Sequence, residues 1–329
     1  MTAPSPVVVG VNVSALLTAY HPDERLLAVV ESALASCARV IVADNTPSGS
    51  VSLAGKLDDP RVTVLSIGCN LGLGGALNLA ARELPADTAA VLLMDQDSVL
   101  PEGLVEGLAA HLADPTIGIA APTPWDAVHE THHNTFAGLH SQVSDRRAVI
   151  TSGMLVRRTF IDQFPFREDL FNDFVDIAFC VKVRETGARI VQDLSLLLPH
   201  SMGDRREHRL GPVKVLVTHY PAFRHYWIAR NGLVLNWDNI RRHPLSHGST
   251  IIFLARKLTA TTLWEPKRRT HVPALLRGIR DGLLRRVSRQ YLPAGTRYAG
   301  VIDGSAETPT SAATGSAGPR DADGAVIQQ

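Results

Sequence analysis

The feature that most constrains the fold is an alternation of short apolar runs with helix-like stretches. The apolar runs cover residues 7–17, 40–43, 62–65 and 91–94. Runs of this length, alternating with helices, predict a βαβαβ order. Such an order folds as a mostly parallel sheet with helices on both faces, so we expect an α/β fold.

Polar residues follow two of these runs, at the ends where ligands bind in open α/β sheets. Asp95-Gln96-Asp97 comes directly after residues 91–94, and Asp44-Asn45 comes after residues 40–43. Two carboxylates one residue apart can hold a hard divalent cation and, through it, a diphosphate. The same spacing also occurs in ordinary solvated turns, so spacing alone leaves both readings open.

A glycine-rich segment at residues 70–78 precedes a predicted helix. Glycines in this position allow a ligand to approach the backbone and expose amide donors near a helix N-terminus. The spacing does not match the G-x-G-x-x-G of dinucleotide sites. Close packing of the helix on the sheet explains these glycines equally well.

Several segments resemble, in the same order, the motifs of family 2 glycosyltransferases, and most closely the bacterial rhamnosyltransferase branch. That branch typically reads T-Y-N-P-D, D-N, N-x-G-x-x-x-A-x-N, L-L-D-Q-D-S, S-G, D-Y-V-D-x-E-W-C and H-x-x-G-D. The corresponding segments lie within roughly residues 8–235 and are residues 18–23, 44–45, 70–78, 92–98, 151–153, 170–182 and 200–204. Ala178 departs from the pattern, because the family usually has Glu there, and Lys182 replaces the usual Arg.

The resemblance implies a GT-A fold and an inverting transfer of a sugar from a nucleotide donor. It implies that Asp97, Asp95 and His200 hold a divalent cation, Mg²⁺ or Mn²⁺. His200 could equally well be a structural residue that anchors its loop. The residues implied to contact the donor are Thr18, Asp44, Asn70, Gly74, Asn78, Asp95 and Gly153.

Two acids near residue 175 are candidates for the catalytic base. Asp173 and Asp176 are three residues apart, so a helix over residues 173–186, ended by Gly187, would place them on one face. Alignment with the family motif implies that Asp176 is the base and that Asp173 supports it. Both acids could instead serve only the helix dipole.

A third group of residues resembles the family's R-x-Y-Y-x-x-R-N segment. Guanidinium and aromatic groups in that segment could contact sugar and phosphate. Helix packing explains the aromatic residues nearly as well. The residues concerned are Arg224, Tyr226, Trp227 and Arg230.

Length and composition indicate one large catalytic domain with an appended helical region. The chain has 329 residues, a hydrophobic content of 45% and a net charge of +1, which argues against a dedicated nucleic-acid-binding protein. Its three cysteines lack metal-ligand spacing and suit a reducing compartment, so the cytoplasm is the expected location. We expect a catalytic domain at residues 1–235, a basic helical region at 236–292 and a disordered tail at 293–329.

The basic region has two readings. Residues 267–289 carry eight Lys and Arg against the single acid Asp281, with apolar residues at roughly helical spacing. Such a helix can lie on an anionic membrane surface, or it can cover the domain with its basic face in solvent. We expect no spanning helix and no cleavable leader. A polar, histidine-rich segment at residues 121–147 lacks a zinc motif, so we expect an acceptor-facing loop without metal.

These observations predict an enzyme that transfers L-rhamnose from deoxythymidine diphosphate-rhamnose to a cell-surface polysaccharide or lipid-linked glycan. Another hexose or galactofuranose is the alternative within the same chemistry. A catalytically silent sugar-nucleotide-binding protein is an alternative of a different class. A nucleotidyltransferase fits less well, because residues 7–19 contain no Lys or Arg to grip a triphosphate.

Overall fold

The computed structural model of the protein describes residues 11–49, 53–126, 131–132, 142–200, 204–210, 213–240 and 245–298. Its main element is a central sheet that contains nine of the described strands. In chain order, the strands are β1 (Val13–Ala19), β2 (Arg39–Pro47), β3 (Val62–Gly68), β4 (Ala90–Asp95), β5 (Ile117–Asp126), β6 (Thr131–His132), β7 (Val143–Asp145), β8 (Met154–Arg157) and β9 (Arg189–Pro199).

The sheet order is β3-β2-β1-β4-β8-β5-β9-β7, with β6 paired to β5. Strands β1 to β4 are all parallel to one another. β8 is inserted antiparallel between β4 and β5, and β9 is parallel to β5. Six of the nine described strands therefore run in one direction, which confirms the predicted α/β fold with a mostly parallel sheet.

Helices cover both faces of this sheet. α1 (Arg25–Ser36) and α3 (Leu104–His111) bury their apolar residues in one core cluster. α2 (Gly72–Ala81), α4 (Arg158–Gln163) and α5 (Val175–Glu185) contribute to the other. Successive residues of β4 alternate between the two clusters, so its apolar run is continuous in the sequence because both of its faces are buried.

The carboxyl-terminal region packs against the sheet domain as a hairpin and three long helices. The hairpin consists of β10 (Asp204–Leu210) and β11 (Val213–His219), and the helices are α6 (Ala222–Asn239), α7 (Leu245–Trp264) and α8 (Arg268–Leu284). α6 continues through the domain boundary that we predict at residue 235. None of the described helices is both long and apolar enough to cross a bilayer.

α8 corresponds to the predicted basic helix, and α6 covers one of its faces. A Cβ added at Gly278 would lie 2.3 Å from the carbonyl oxygen of Tyr226, and one added at Gly282 would lie 2.8 Å from that of Arg230. Asp281 is fully buried and accepts a hydrogen bond from the Tyr226 hydroxyl at 3.0 Å. The buried face of α8 therefore packs on the protein, as the second reading of the basic region predicts.

The chain remains packed beyond Pro293, where we predict that the disordered tail begins. The Asn70 amide donates to the Gly295 carbonyl at 3.0 Å, and the Arg297 amide donates to the Asn70 carbonyl at 2.9 Å. The Tyr298 hydroxyl donates to the Asp169 carbonyl at 2.6 Å. Composition alone predicted a tail boundary that is too early in the chain, because composition carries no information about backbone hydrogen bonds. Residues 299–329 lie outside the described part of the chain.

We predict that Gly278→Ala destabilises the protein by about 1–3 kcal/mol, although Ala has the higher helix propensity. The added methyl group cannot coexist with the backbone of α6 at the observed separation. Chemical denaturation measures the change. Gly55→Ala is the matched control, because a Cβ there would meet nothing within 4 Å. Equal stability of the two variants would contradict the close packing of α8 on α6.

Candidate active site

A cavity of about 670 Å³ opens at the carboxyl ends of the parallel strands. Thr18 in β1 is in register with Ala43 in β2 and with Asp95 in β4, so the polar residues that follow these strands meet at one edge. Thr18, Asn45 and Asn70 line the cavity. Its volume is within the range of about 300–1,000 Å³ that is usual for small-molecule sites.

The far wall of the cavity comes from the carboxyl-terminal end of the described chain. Residues 290–295 line it together with Phe171, opposite the ends of β1 and β2. The backbone bonds between Asn70 and residues 295 and 297 hold this wall in place. Sequence reasoning missed it, because no motif marks the segment.

Asp95, Asp97 and His200 converge beside the cavity edge, with one ligand atom of each within 4.8 Å of the others. Asp95 ends β4, Asp97 lies in the following turn, and His200 follows β9. The His200 amide donates to the Trp125 carbonyl at 3.0 Å, and Ser98 Oγ lies 2.8 Å from His200 Nδ1. These three residues form a group that can hold a divalent cation, as the sequence predicts.

Gly153 allows the backbone to pack closely beside the group formed by Asp95, Asp97 and His200. Its φ is +79°, and a Cβ there would lie 2.6 Å from Pro122 Cγ. Its amide donates to the Leu93 carbonyl at 2.9 Å, two residues before Asp95. Gly153 therefore has a packing role next to the site, in addition to any contact with a ligand.

Burial and like charge perturb the acids of the site. Burial raises the pKa of Asp95 to about 7; the charge of Asp97 adds to this rise and that of Arg224 opposes it. Burial lowers the pKa of His200, and the charge of Asp97 opposes that shift. A bound cation would favour the charged carboxylate, so Asp95 is poised to exchange a proton for a metal near neutral pH.

The helix that carries Asp176 begins later than predicted. α5 starts at Val175, because Phe171 and Phe174 adopt left-handed backbone with φ of 57° and 72°. Asp173 therefore precedes the helix, and the prediction that both acids share a helical face is wrong. Gly187 follows the helix with φ of +89°, as predicted.

Tertiary packing nevertheless brings the two acids into one charged group. Asp173 forms an ion pair of 2.9 Å with Arg224 from α6. Burial, together with the charges of Asp173 and Asp95, raises the pKa of Asp176 to about 6. The Ile177 amide, which donates to Asp176 Oδ1 at 2.8 Å, opposes this rise. The carboxylates of β4 and α5 therefore face a common space.

Three of the residues predicted to contact the donor have structural contacts. Asp44 is 4% exposed and accepts a hydrogen bond from the Thr46 amide at 3.0 Å, and it does not line the cavity. A Cβ at Gly74 would lie 2.6 Å from the Arg167 carbonyl oxygen. The side-chain amide of Asn78 donates to the Phe166 carbonyl and accepts from the Phe166 backbone amide. The cavity instead receives Asn45, the neighbour of Asp44.

The acceptor or phosphate role predicted for Tyr226, Trp227 and Arg230 also requires correction. Tyr226 and Trp227 are fully buried, and Arg230 is 3% exposed. The Trp227 indole donates to the Tyr291 carbonyl at 2.9 Å, and Arg230 Nη1 donates to the Asp169 carbonyl at 2.6 Å. Only Arg224 of that group reaches the charged site.

Two further residues were missed by sequence reasoning. The side-chain amide of Gln96 accepts from the Tyr20 amide at 2.7 Å and donates to the Tyr20 carbonyl at 3.3 Å. This pair fixes the end of β1 against the metal-ligand turn, and Tyr20 lines the cavity. Two usable signals were present: Gln96 lies between Asp95 and Asp97, and Tyr20 lies within the motif at residues 18–23.

Comparisons with known proteins identify the family of this chain. A family model described as glycosyl transferase family 2 matches residues 14–181. The dTDP-rhamnosyl transferase RfbF of Shigella flexneri is 23% identical over 248 residues, which cover 70% of this chain and 81% of that protein.

Two solved structures are similar at low sequence identity. A structure of GalNAc-T7 with UDP, GalNAc and Mn²⁺ has a TM-score of 0.49 and 13% identity, covering 58% of this chain and 44% of that one. A structure of S. aureus TarS 1-349 has a TM-score of 0.48 and 12% identity, covering 82% and 80%. The family match spans just over half of the chain and includes Asp95, Asp97 and Asp176. The protein therefore belongs to glycosyl transferase family 2, and its structure has the α/β fold with a mostly parallel sheet that the sequence predicts.

Proposed function

We propose that this family 2 glycosyltransferase transfers L-rhamnose from dTDP-L-rhamnose, with inversion, to a polysaccharide or lipid-linked glycan acceptor. The observation that carries the proposal is the convergence of Asp95, Asp97 and His200 beside a cavity of about 670 Å³. A cavity of this size suits a nucleoside diphosphate sugar. The choice of rhamnose is supported by the name of the Shigella flexneri relative.

In the proposed donor complex, the nucleoside lies between the ends of β1 and β2 and the wall at residues 290–295. Asn45 and Asn70 line this cavity beside the proposed nucleoside, and their side chains also fix the backbone there, because Asn45 accepts from the Leu71 amide at 3.1 Å and Asn70 accepts from the Gly72 amide at 2.8 Å. Asp97, Asp95 and His200 would hold Mg²⁺ or Mn²⁺. When bound, this cation would neutralise the charge that develops on the leaving diphosphate.

Asp176 is the proposed general base. It would take the proton of the acceptor hydroxyl as that oxygen attacks the anomeric carbon and the bond to the diphosphate breaks. Attack from the face opposite the leaving group inverts the anomeric carbon. A pKa of about 6 leaves Asp176 ionised at neutral pH yet basic enough to accept a proton. The ion pair between Arg224 and Asp173 would hold a positive charge at the same site.

Another nucleotide-sugar donor is the alternative within this chemistry. Ala178 stands where the family usually has Glu, and it is 3% exposed in the apolar core. The Ala at this position therefore lacks the negative charge of the family's Glu and offers no polar group in its place. A catalytically silent protein is disfavoured, because Asp95, Asp97 and Asp176 are all present and brought together.

A donor screen tests the proposed substrate. We expect release of nucleoside diphosphate from dTDP-L-rhamnose with Mg²⁺ or Mn²⁺, and little release without metal or from hexose and galactofuranose donors. Asp97→Asn should reduce turnover by more than the roughly 10–100-fold that is typical when a residue hydrogen-bonded to a metal ligand is changed. The control is Asp58→Asn, since Asp58 is exposed and remote from these residues. Preference for another donor would overturn the rhamnose assignment, and normal turnover by Asp97→Asn would overturn the metal site.

Asp176→Asn tests the base. We expect donor affinity to survive while single-turnover transfer falls by about 100- to 10,000-fold, because the amide cannot take the proton. Asp173→Asn should reduce transfer less but lower the melting temperature more, since Asp173 is largely buried and is paired with the half-buried Arg224. Normal transfer by the Asp176 variant would eliminate it as the base.

The pH dependence of metal binding should follow Asp95. Its carboxyl has a pKa of about 7 without metal, so below that pH a proton competes with the cation and affinity should fall. We expect Mn²⁺ affinity, measured by electron paramagnetic resonance, to weaken from pH 8 to pH 6. In Asp95→Asn the dependence should flatten across pH 7. Constant affinity of the unaltered protein over this range would contradict the assignment.

A further inference from the structure

A second group of metal-ligand side chains lies in the carboxyl-terminal helical region. It consists of His225 on α6, Glu265 just after α7, and His271 on α8. One ligand atom of each lies within 4.8 Å of the others. The three residues are 0%, 5% and 8% exposed, so the group is enclosed by protein.

Each carboxylate oxygen of Glu265 lies close to an imidazole nitrogen. Glu265 Oε1 lies 3.2 Å from His225 Nε2, and Glu265 Oε2 lies 3.0 Å from His219 Nδ1. Ligands about 2.0–2.1 Å from zinc in a tetrahedron are about 3.3 Å apart. His219 Nδ1 is buried, and apart from this contact with Glu265 it has no hydrogen-bond partner among the described residues.

The Nδ1 contacts of both helix histidines are compatible with a lone pair on Nε2. His271 Nδ1 lies 2.7 Å from the Lys267 carbonyl, which can only accept, so Nδ1 carries the proton and Nε2 carries the lone pair. Thr261 donates its hydroxyl proton to the Lys257 carbonyl at 2.8 Å, which leaves its oxygen to accept from His225 Nδ1 at 3.4 Å. Metal-bound histidines are typically held in this way.

The contact between His225 Nε2 and Glu265 Oε1 at 3.2 Å is a hydrogen bond when Nε2 carries the imidazole proton. In the tautomer with the proton on Nδ1, Nε2 has a lone pair that can bind a metal ion beside the carboxylate.

We propose that His225, Glu265 and His271 bind a zinc ion, with His219 placed to complete its coordination. Imidazole and carboxylate ligands in an enclosed site suit zinc, whereas Mg²⁺ prefers oxygen ligands and retains water. This site is separate from the group formed by Asp95, Asp97 and His200, which comes from other elements of the fold.

The ion would join three helices that make the carboxyl-terminal region. Arg224 immediately precedes His225 in α6 and reaches Asp173 in the active site. A fixed α6 would therefore hold Arg224 in place, so the zinc ion has a structural and positioning role. It does not touch the reacting atoms.

Metal analysis of the full chain tests this inference. We expect protein purified with added zinc, then dialysed with Mg²⁺ and a mild chelator, to retain one zinc ion per chain. Glu265→Gln and His271→Gln should lose it, whereas Asp97→Asn and the control His111→Gln should retain it. No stoichiometric zinc in the unaltered protein, or loss of zinc only in Asp97→Asn, would overturn the site.

A measurement on the unaltered protein remains decisive if the variants fail to fold. Removal of zinc by a strong chelator should lower the melting temperature, and Zn²⁺, but not Mg²⁺, should restore it. Co²⁺ added to the stripped protein should give the intense visible absorption of a four-coordinate site. A melting temperature that is indifferent to zinc, together with no such absorption, would show that the group is only a hydrogen-bonded network. Neither readout depends on the proposed sugar donor or on activity.

Discussion

The position of β1 between β2 and β4 is the constraint on which the rest of the structure depends. Its residues are buried on both faces, and its parallel partners end at the same edge as it does. That common edge places Thr18, Asn45 and Asp95 around one opening. The cavity, the metal-ligand group and the candidate base all follow from it, because a slip in register would turn each polar residue to another face.

Concentrated negative charge is the second organising feature. Asp95, Asp97, Asp173 and Asp176 are partly buried together, and burial raises the pKa of two of them. Such a group is costly without positive partners. Arg224 supplies one, and a cation at Asp95 and Asp97 would supply another. Since Arg224 comes from α6, the carboxyl-terminal region completes the site and is not merely appended to it.

Sequence motifs predicted the metal-ligand group better than they predicted the donor pocket. Asp95, Asp97 and His200 converge as expected, because Asp95 ends β4, Asp97 lies in the turn that follows, and His200 follows β9 of the same sheet. Asp44 and Asn78 belong to equally clear motifs but are used to tie the backbone together. A motif shows only that a residue type is needed at a position. That need can arise from a hydrogen bond to the protein backbone as well as from a bond to a ligand.

The sequence by itself determined the α/β class, the mostly parallel sheet and the family, because hydrophobic periodicity and short motifs are local properties. Only the tertiary structure decided which polar residues share a space. It removed Tyr226, Trp227 and Arg230 from the site by burying them, and it brought in Tyr20 and the wall at residues 290–295. It also assembled His225, Glu265 and His271, whose spacing in the chain matches no local motif. Such groups depend on helix packing between distant segments, which no window of sequence contains.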